Sequence, residues 1–172
     1  MPRTHSCGAL RAEHVDQTVT LSGWVQHYRD HNGVIFIDLR DRDGITQVTF
    51  DRSICGADIQ EQAARLRSEW VLTATGMVKS RGENVNPNLA TGAIEVFATA
   101  LEVHNRAQTP PFEMDEHAKV GEEVRLRHRY LDLRREKMQR NIALRSDVIS
   151  SIRRRMIDQG FREFQTPILT AS

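Results

Sequence analysis

The first hundred residues set apolar positions in short runs with a period of two, the pattern of strands with one buried face. Val19 and Leu21 lead to Trp24 and Val25, with Gly23 inside the run. A glycine at mid-strand marks a bulge or tight bend, as a barrel corner needs. Val34-Ile35-Phe36-Ile37-Asp38-Leu39 is β-branched and apolar enough for a core strand. Arg42-Asp43-Gly44 follows, and Asp-Gly tolerates the positive φ that a hairpin turn demands. Ile45 to Phe50 keeps the period of two and puts Gln47 on one face with Ile45 and Thr49.

The period then changes. Ile59, Ala63, Leu66 and Trp70 fall on one face of a helix over residues 58–70. Asp58 with Glu61 three residues on resembles a capping box at its start. Strands resume over residues 71–79 and 94–103. Three strands, one helix and two strands is the order of the five-stranded OB barrel, with its helix between strands three and four.

Gln108-Thr109-Pro110-Pro111-Phe112 cannot continue a strand, so residues 107–121 read as a linker. The expected organisation is a barrel over 1–106, that linker, and a helical segment over 122–172. Helices are predicted over 124–138 and 141–159. In the second, Leu144, Val148, Ile149, Ile152 and Met156 form a stripe expected to be buried. Gly160 stands where a helix C-cap glycine would, and residues 161–169 begin a strand-like segment.

Charge changes the picture of what the barrel can bind. Up to residue 118 there are 11 Lys+Arg against 16 Asp+Glu; from 119 onward there are 13 against 7. The C-terminal part can lie along phosphates, whereas the N-terminal part is no bulk electrostatic RNA binder and must act through local groups. The two cysteines, Cys7 and Cys55, form no metal-ligand spacing, and the seven histidines are scattered. They read as reduced thiols and no metal site is expected. The first ten residues lack a signal-peptide layout and no apolar run suits a membrane helix, so the expected location is cytosolic.

No catalytic constellation is visible: no phosphate-binding loop, no GxGxxG after a strand, no nucleophile elbow. The candidates are polar and aromatic side chains on the presumed barrel face. Phe36 and Phe50 are either platforms for unstacked bases or core residues. Gln47 offers a donor and an acceptor to one base edge, or simply faces solvent. Arg29 and Asp30 precede the turn signal Asn32-Gly33, so Arg29 contacts RNA or forms a surface ion pair. Lys79, Arg81, Asn84 and Asn86 read as a loop between strands four and five that suits a backbone and base clamp. Arg134-Arg135 and Arg153-Arg154-Arg155 are RNA contacts or a solvated helix face.

Several strings together resemble bacterial-type aspartyl-tRNA synthetases. They are Gly23-Trp24-Val25, Arg29-Asp30, residues 33–38, Arg40-Asp41-Arg42-Asp43-Gly44-Ile45 with Gln47-Val48, and Ala90-Thr91-Gly92 with Ile94-Glu95-Val96. The most specific is Arg129-Tyr130-Leu131-Asp132-Leu133-Arg134-Arg135, and Gly160-Phe161 with Thr166-Pro167-Ile168-Leu169 is similar to the start of class II motif 1. The resemblance implies an anticodon-binding OB domain followed by the opening of a catalytic domain. It implies that Phe36 stacks on an anticodon base and Gln47 reads the central uracil. Arg29, Asn84, Asn86 and Glu95 would fix the anticodon, with Lys79 and Arg81 against its backbone. Glu95 can accept from a cytosine amino group, which no arginine could do. Thr49 stands where family members often carry an aromatic. Pro167 would belong to a motif 1 dimer interface.

His31 follows Arg29-Asp30, where family members restricted to aspartate tRNA often carry leucine. Histidine resembles the relaxed members, which also charge asparagine tRNA. The full-length enzyme would use ATP and magnesium, form aspartyl-adenylate, charge tRNA and act as a homodimer. The 172 residues alone are expected to be inactive and to hold no cofactor, because motifs 2 and 3 are not among them. The alternatives are a free-standing OB-fold RNA-binding paralogue without catalysis, the related asparaginyl enzyme, and an unrelated OB-fold single-strand binder.

Overall fold

The computed structural model describes residues 2–115 and 118–166. The chain divides into two units, Met1–Glu113 and Met114–Ser172. In the first, alternation along the strands does what the period of two predicts. Ile35, Ile37 and Leu39 of β2 (Val34–Arg40) point inward and register with Phe50, Val48 and Thr46 of β3 (Ile45–Phe50). All six are fully buried. Phe50 is therefore core, whereas Phe36 lies on the outer face, half-buried.

The first strand, β1 (Thr18–His31), runs well past Val25 and serves two neighbours. Its opening half pairs with β4 (Val71–Ser80) and its second half with β2, the two pairings meeting at Trp24. Gly23 sits at that corner. A Cβ there would lie 2.3 Å from the Arg40 carbonyl oxygen, so only glycine admits the approach. The bulge falls just after it, between Val25 and His27. The last strand, β5 (Ile94–Asn105), pairs antiparallel with β4 and parallel with β3 through Val48–Val96 and Thr49–Phe97. The sheet closes in the order β1-β2-β3-β5-β4, the barrel expected from the sequence.

Between β3 and β4 the chain makes two short helices where one over 58–70 is expected. They are α1 (Arg52–Cys55) and α2 (Ala57–Ala64). Asp51 caps α1, its Oδ1 accepting from Ser53 N at 2.8 Å. The Ser53 hydroxyl, donating to the same oxygen at 2.7 Å, and then that backbone bond hold the Asp51 carboxyl below its ordinary range. The N-cap of α2 is Gly56, at φ 81°, so Asp58 lies in the first turn and caps nothing. The helix stops at Ala64 because the chain must turn into β4, with Glu69 at φ 63°. Glu69 is pinned there: its N–H donates to the Val25 carbonyl at 2.7 Å, and Arg40 donates to both carboxylate oxygens at 2.8 and 2.9 Å. Leu66 is fully buried outside any helix, and Trp70 donates its indole N–H to Ala107 O at 3.1 Å. The helical spacing of these two residues is met by a turn instead.

In the second unit the two expected helices are cut differently. The chain forms α3 (Glu122–Arg127), α4 (Arg129–Asp132) and the long α5 (Glu136–Asp158). The break comes at His128, whose ψ of 45° leaves the helical region. A buried charge lies just beyond it. Asp132 is fully buried and accepts from Arg125 at 2.9 and 3.3 Å and from Arg129 at 2.6 Å, with Arg135 at 3.8 Å. Arg135 also donates to Asp115 O at 3.1 Å, so it serves this knot and offers no surface to RNA. Gly160, at φ 86°, ends α5: its N–H donates to Ile157 O, and that of Phe161 to Met156 O. This is the Schellman cap the glycine predicts.

Leu144, Val148, Ile149, Ile152 and Met156 are exposed, from 38 to 64%, so the stripe is not buried in this chain. Residues 161–166 form no strand, and Pro167 lies outside the described residues.

Candidate nucleic-acid interface

The outer face of β1, β2, β3 and β5 carries a line of polar side chains that follows from register alone. Arg29 pairs with Phe36, His27 with Asp38, Asp38 with Gln47, and Phe36 with Thr49. The parallel β3–β5 pairing brings Glu95 beside Gln47. The polar ones are linked by hydrogen bonds across the sheet. His27 Nδ1 lies 3.2 Å from Asp38 Oδ2, and Arg29 Nη2 donates to Asp38 Oδ1 at 2.8 Å and to Gln47 Oε1 at 3.3 Å. Gln47 Nε2 then donates to Glu95 Oε2 at 3.1 Å, and Thr49 Oγ1 to the same oxygen at 2.5 Å.

Gln47 is thus neither solvent-facing nor isolated. It is 7% exposed and bridges a cation and an anion. Each of its amide atoms keeps some hydrogen-bonding capacity, one N–H and one lone pair. Arg29, about half-exposed, is both an ion-pair partner of Asp38 and a guanidinium open to the outside. Phe36 stands directly beside this line, with Arg29 and Thr49 as its cross-strand neighbours. A flat ring next to a row of fixed donors and acceptors suits an unstacked base.

His31 lies two residues beyond Arg29, on the same face, exposed at the tip of the β1–β2 hairpin. Asn32 and Gly33, at φ 52° and 85°, make the tight turn that Asn-Gly predicts. Gln60 of α2 braces it, donating to Gly33 O at 2.6 Å.

The remaining candidates make no hydrogen bond to the line among the described residues. Lys79 belongs to β4 rather than to a loop; it registers with Glu95, and its ammonium pairs with Asp16 at 2.7 Å. Arg81, Asn84 and Asn86 do lie in the β4–β5 connection. The Asn86 side chain accepts from Asn88 N at 3.0 Å, and Thr91 donates to Ile45 O at 2.5 Å, tying this connection to β3. Gly92 packs so closely that a Cβ would sit 1.8 Å from Asn86 O. Both cysteines are buried and unpaired. Burial first, then the nearby Asp41 carboxylate, pushes the Cys7 thiol far above its ordinary range.

Sequence reasoning missed Asp38 and His27 and saw Thr49 only as a lost aromatic. A signal was present: in a strand with period two, Asp38 must share the outer face with Phe36.

Residues 19–104 match the family of OB-fold nucleic acid binding domains. The chain belongs to that family. Residues 121–172 match the class II tRNA synthetases of the D, K and N type. The chain is 56% identical to the aspartate–tRNA(Asp/Asn) ligase of Gluconobacter oxydans over 99% of its own length. It is 53% identical to that of Zymomonas mobilis over the same share. It spans 28% of the length of each. Among solved structures, the asparaginyl-tRNA synthetase of Pyrococcus horikoshii superposes with a TM-score of 0.82 at 26% identity, over 96% of this OB-fold chain and 38% of that one.

Proposed function

We propose that this chain is the anticodon-recognising part of an aspartate–tRNA ligase. The observation that carries the reading is the hydrogen-bonded line Asp38–Arg29–Gln47–Glu95 beside Phe36 on the outer face of the barrel. It presents a stacking surface and fixed donors and acceptors with little net positive charge, which suits base reading over phosphate binding. The similarity to aspartate–tRNA ligases supports it over a free-standing RNA-binding paralogue. The exposed apolar stripe of α5 supports it too, because such a stripe asks for cover. In the longer protein, ATP and magnesium serve aspartyl-adenylate formation, tRNA is the acceptor, and the enzyme is a cytoplasmic homodimer with Pro167 at its interface. Among the described residues no helix is long and apolar enough to cross a membrane.

Within this reading Phe36 stacks on an anticodon base, Gln47 reads the central uracil, and Arg29 and Glu95 fix the bases beside it. Arg81, Asn84 and Asn86 approach from the β4–β5 connection. Lys79 contributes to the backbone contact by exchanging its exposed pairing with Asp16, a surface ion pair of small worth. The test is fluorescence anisotropy of the 172-residue chain with an anticodon stem-loop carrying guanine-uracil-cytosine. It is expected to bind more tightly than the same loop with the three bases permuted; equal affinities sink the reading. Assayed alone, the chain is expected to show no aspartate-dependent exchange of pyrophosphate into ATP, and any such exchange above the blank refutes that expectation.

His31 sets the breadth of tRNA choice in this reading. Its imidazole donates or accepts according to tautomer, and an adaptable group at an exposed tip blurs the distinction between cytosine and uracil as the last anticodon base. The chain is therefore expected to bind stem-loops ending in either base with similar affinity. His31→Leu is expected to favour cytosine by about fivefold or more, since an unpaired polar edge is the usual source of such discrimination. An unchanged ratio in the variant, or strong rejection of uracil by the native chain, rules this out.

A further inference from the structure

We propose that Thr49 is a positioning residue for RNA recognition: its hydroxyl, together with the Gln47 amide, pins Glu95 Oε2, so that Oε1 is the oxygen of that carboxylate offered to an N–H on an unstacked base. The inference rests on the anticodon-binding reading and adds the group that orients its acidic reader.

The direction of every bond in the line is dictated from one end. A guanidinium only donates, so Gln47 must turn Oε1 toward Arg29. Its Nε2 then faces Glu95, and the reversed amide would set two donors and two acceptors against each other. The Thr49 hydroxyl meets the same carboxylate oxygen, where only donation is possible. Both bonds therefore land on Oε2. Oε1 has no partner among the described residues.

Two anchors differ from one. The terminal torsion of a glutamate is broad and two-fold, so a carboxylate held by a single bond can swing and exchange its oxygens. Bonds from two separate residues fix which oxygen is inside and where the other points. Thr49 is well placed to supply the second. It is 1% exposed although it lies on the outer face, and its backbone registers with Phe36 on one side and Phe97 on the other. Its β-branched side chain has few rotamers, so the hydroxyl is held by the sheet itself. A base carbonyl facing Oε1 would be repelled, whereas a cytosine amino group or a ring N–H would be bound. The position thus keeps a recognition role without a stacking ring: it aims an acceptor.

A double-mutant cycle on stem-loop binding by the 172-residue chain tests this. Thr49→Val keeps the shape and removes the hydroxyl; Thr49→Ala removes it without adding a methyl, should valine impair folding. Either is expected to weaken binding to the guanine-uracil-cytosine loop about fivefold or more, as hydrogen bonds to charged groups are worth more than neutral ones. Thr49→Ser is expected to bind within about twofold of the native chain. In a Glu95→Ala background the Thr49 substitution is expected to have almost no further effect, which a merely structural role would not produce. Native-like binding by Thr49→Val and Thr49→Ala, or the same loss with and without Glu95, overturns the positioning role while leaving the anticodon reading intact. A native chain that does not prefer the cognate loop to a permuted one overturns both.

Discussion

Gln47→Ala is expected to lower the affinity of the chain for its cognate anticodon stem-loop by about ten- to a hundredfold, corresponding to roughly 1–3 kcal/mol. The effect has two sources. The amide's own contacts to the base are lost, and so is the bridge between Arg29 and Glu95, which are linked only through it along this line. Arg29 keeps its bond to Asp38 and Glu95 its bond from Thr49, so the sheet stays closed while the reading groups lose their fixed spacing. Gln47→Glu is expected to do worse, because it sets a second carboxylate against Glu95 in a nearly buried position. Gln62→Ala is the control, on the exposed side of α2. Gln60 is unsuitable for that purpose, since it holds the Gly33 carbonyl of the hairpin that carries His31. Matching affinities for Gln47→Ala and Gln62→Ala would show that Gln47 serves only the sheet.

How much of this was legible in the sequence depended on whether the signal was local. The alternation in residues 34–39 and 45–50 fixed which side chains face inward, because a strand's side-chain period leaves no other choice. Gly23 could be read as a corner, and Gly160 as a cap, because each meets a backbone requirement that few other residues satisfy. The helix over 58–70 failed because Leu66 and Trp70 keep helical spacing while a buried Arg40–Glu69 pair, 29 residues apart in sequence, demands a turn between them. The line of polar groups was only half visible. Phe36, Gln47 and Glu95 stand out as residue types, but the roles of Asp38 and Thr49 depend on cross-strand register, which becomes fixed when the barrel closes. Arg134-Arg135 reads as RNA contacts or a solvated helix face because composition cannot reveal a buried carboxylate that draws Arg135 inward.

That carboxylate carries the largest expected effect on stability. Asp132→Asn leaves shape unchanged but removes the anion from among Arg125, Arg129 and Arg135, and removing one member of a buried ion pair costs roughly 3–5 kcal/mol. Arg125 and Arg129 are about one-third to one-half exposed and regain water, so the cost is expected toward the lower end. The loss should fall on residues 122–135, read as faster amide hydrogen exchange there with the barrel's protection unchanged. Its pH dependence has a definite sign. The hydrogen bonds from Arg125, against the opposing effect of burial, hold the Asp132 carboxyl below the ordinary value of 3.8, with the charges of Arg125, Arg129 and Arg135 adding to it. A carboxyl lowered in the folded state stabilises it fully above the unfolded value and loses that contribution as pH falls through the folded one. The difference in protection between the native chain and Asp132→Asn should therefore be constant from pH 7 to about 5 and shrink only below about pH 4. A difference that vanishes by pH 6, or exchange in residues 122–135 that is the same in both proteins at pH 7, would mean that the arginines are held by something other than Asp132.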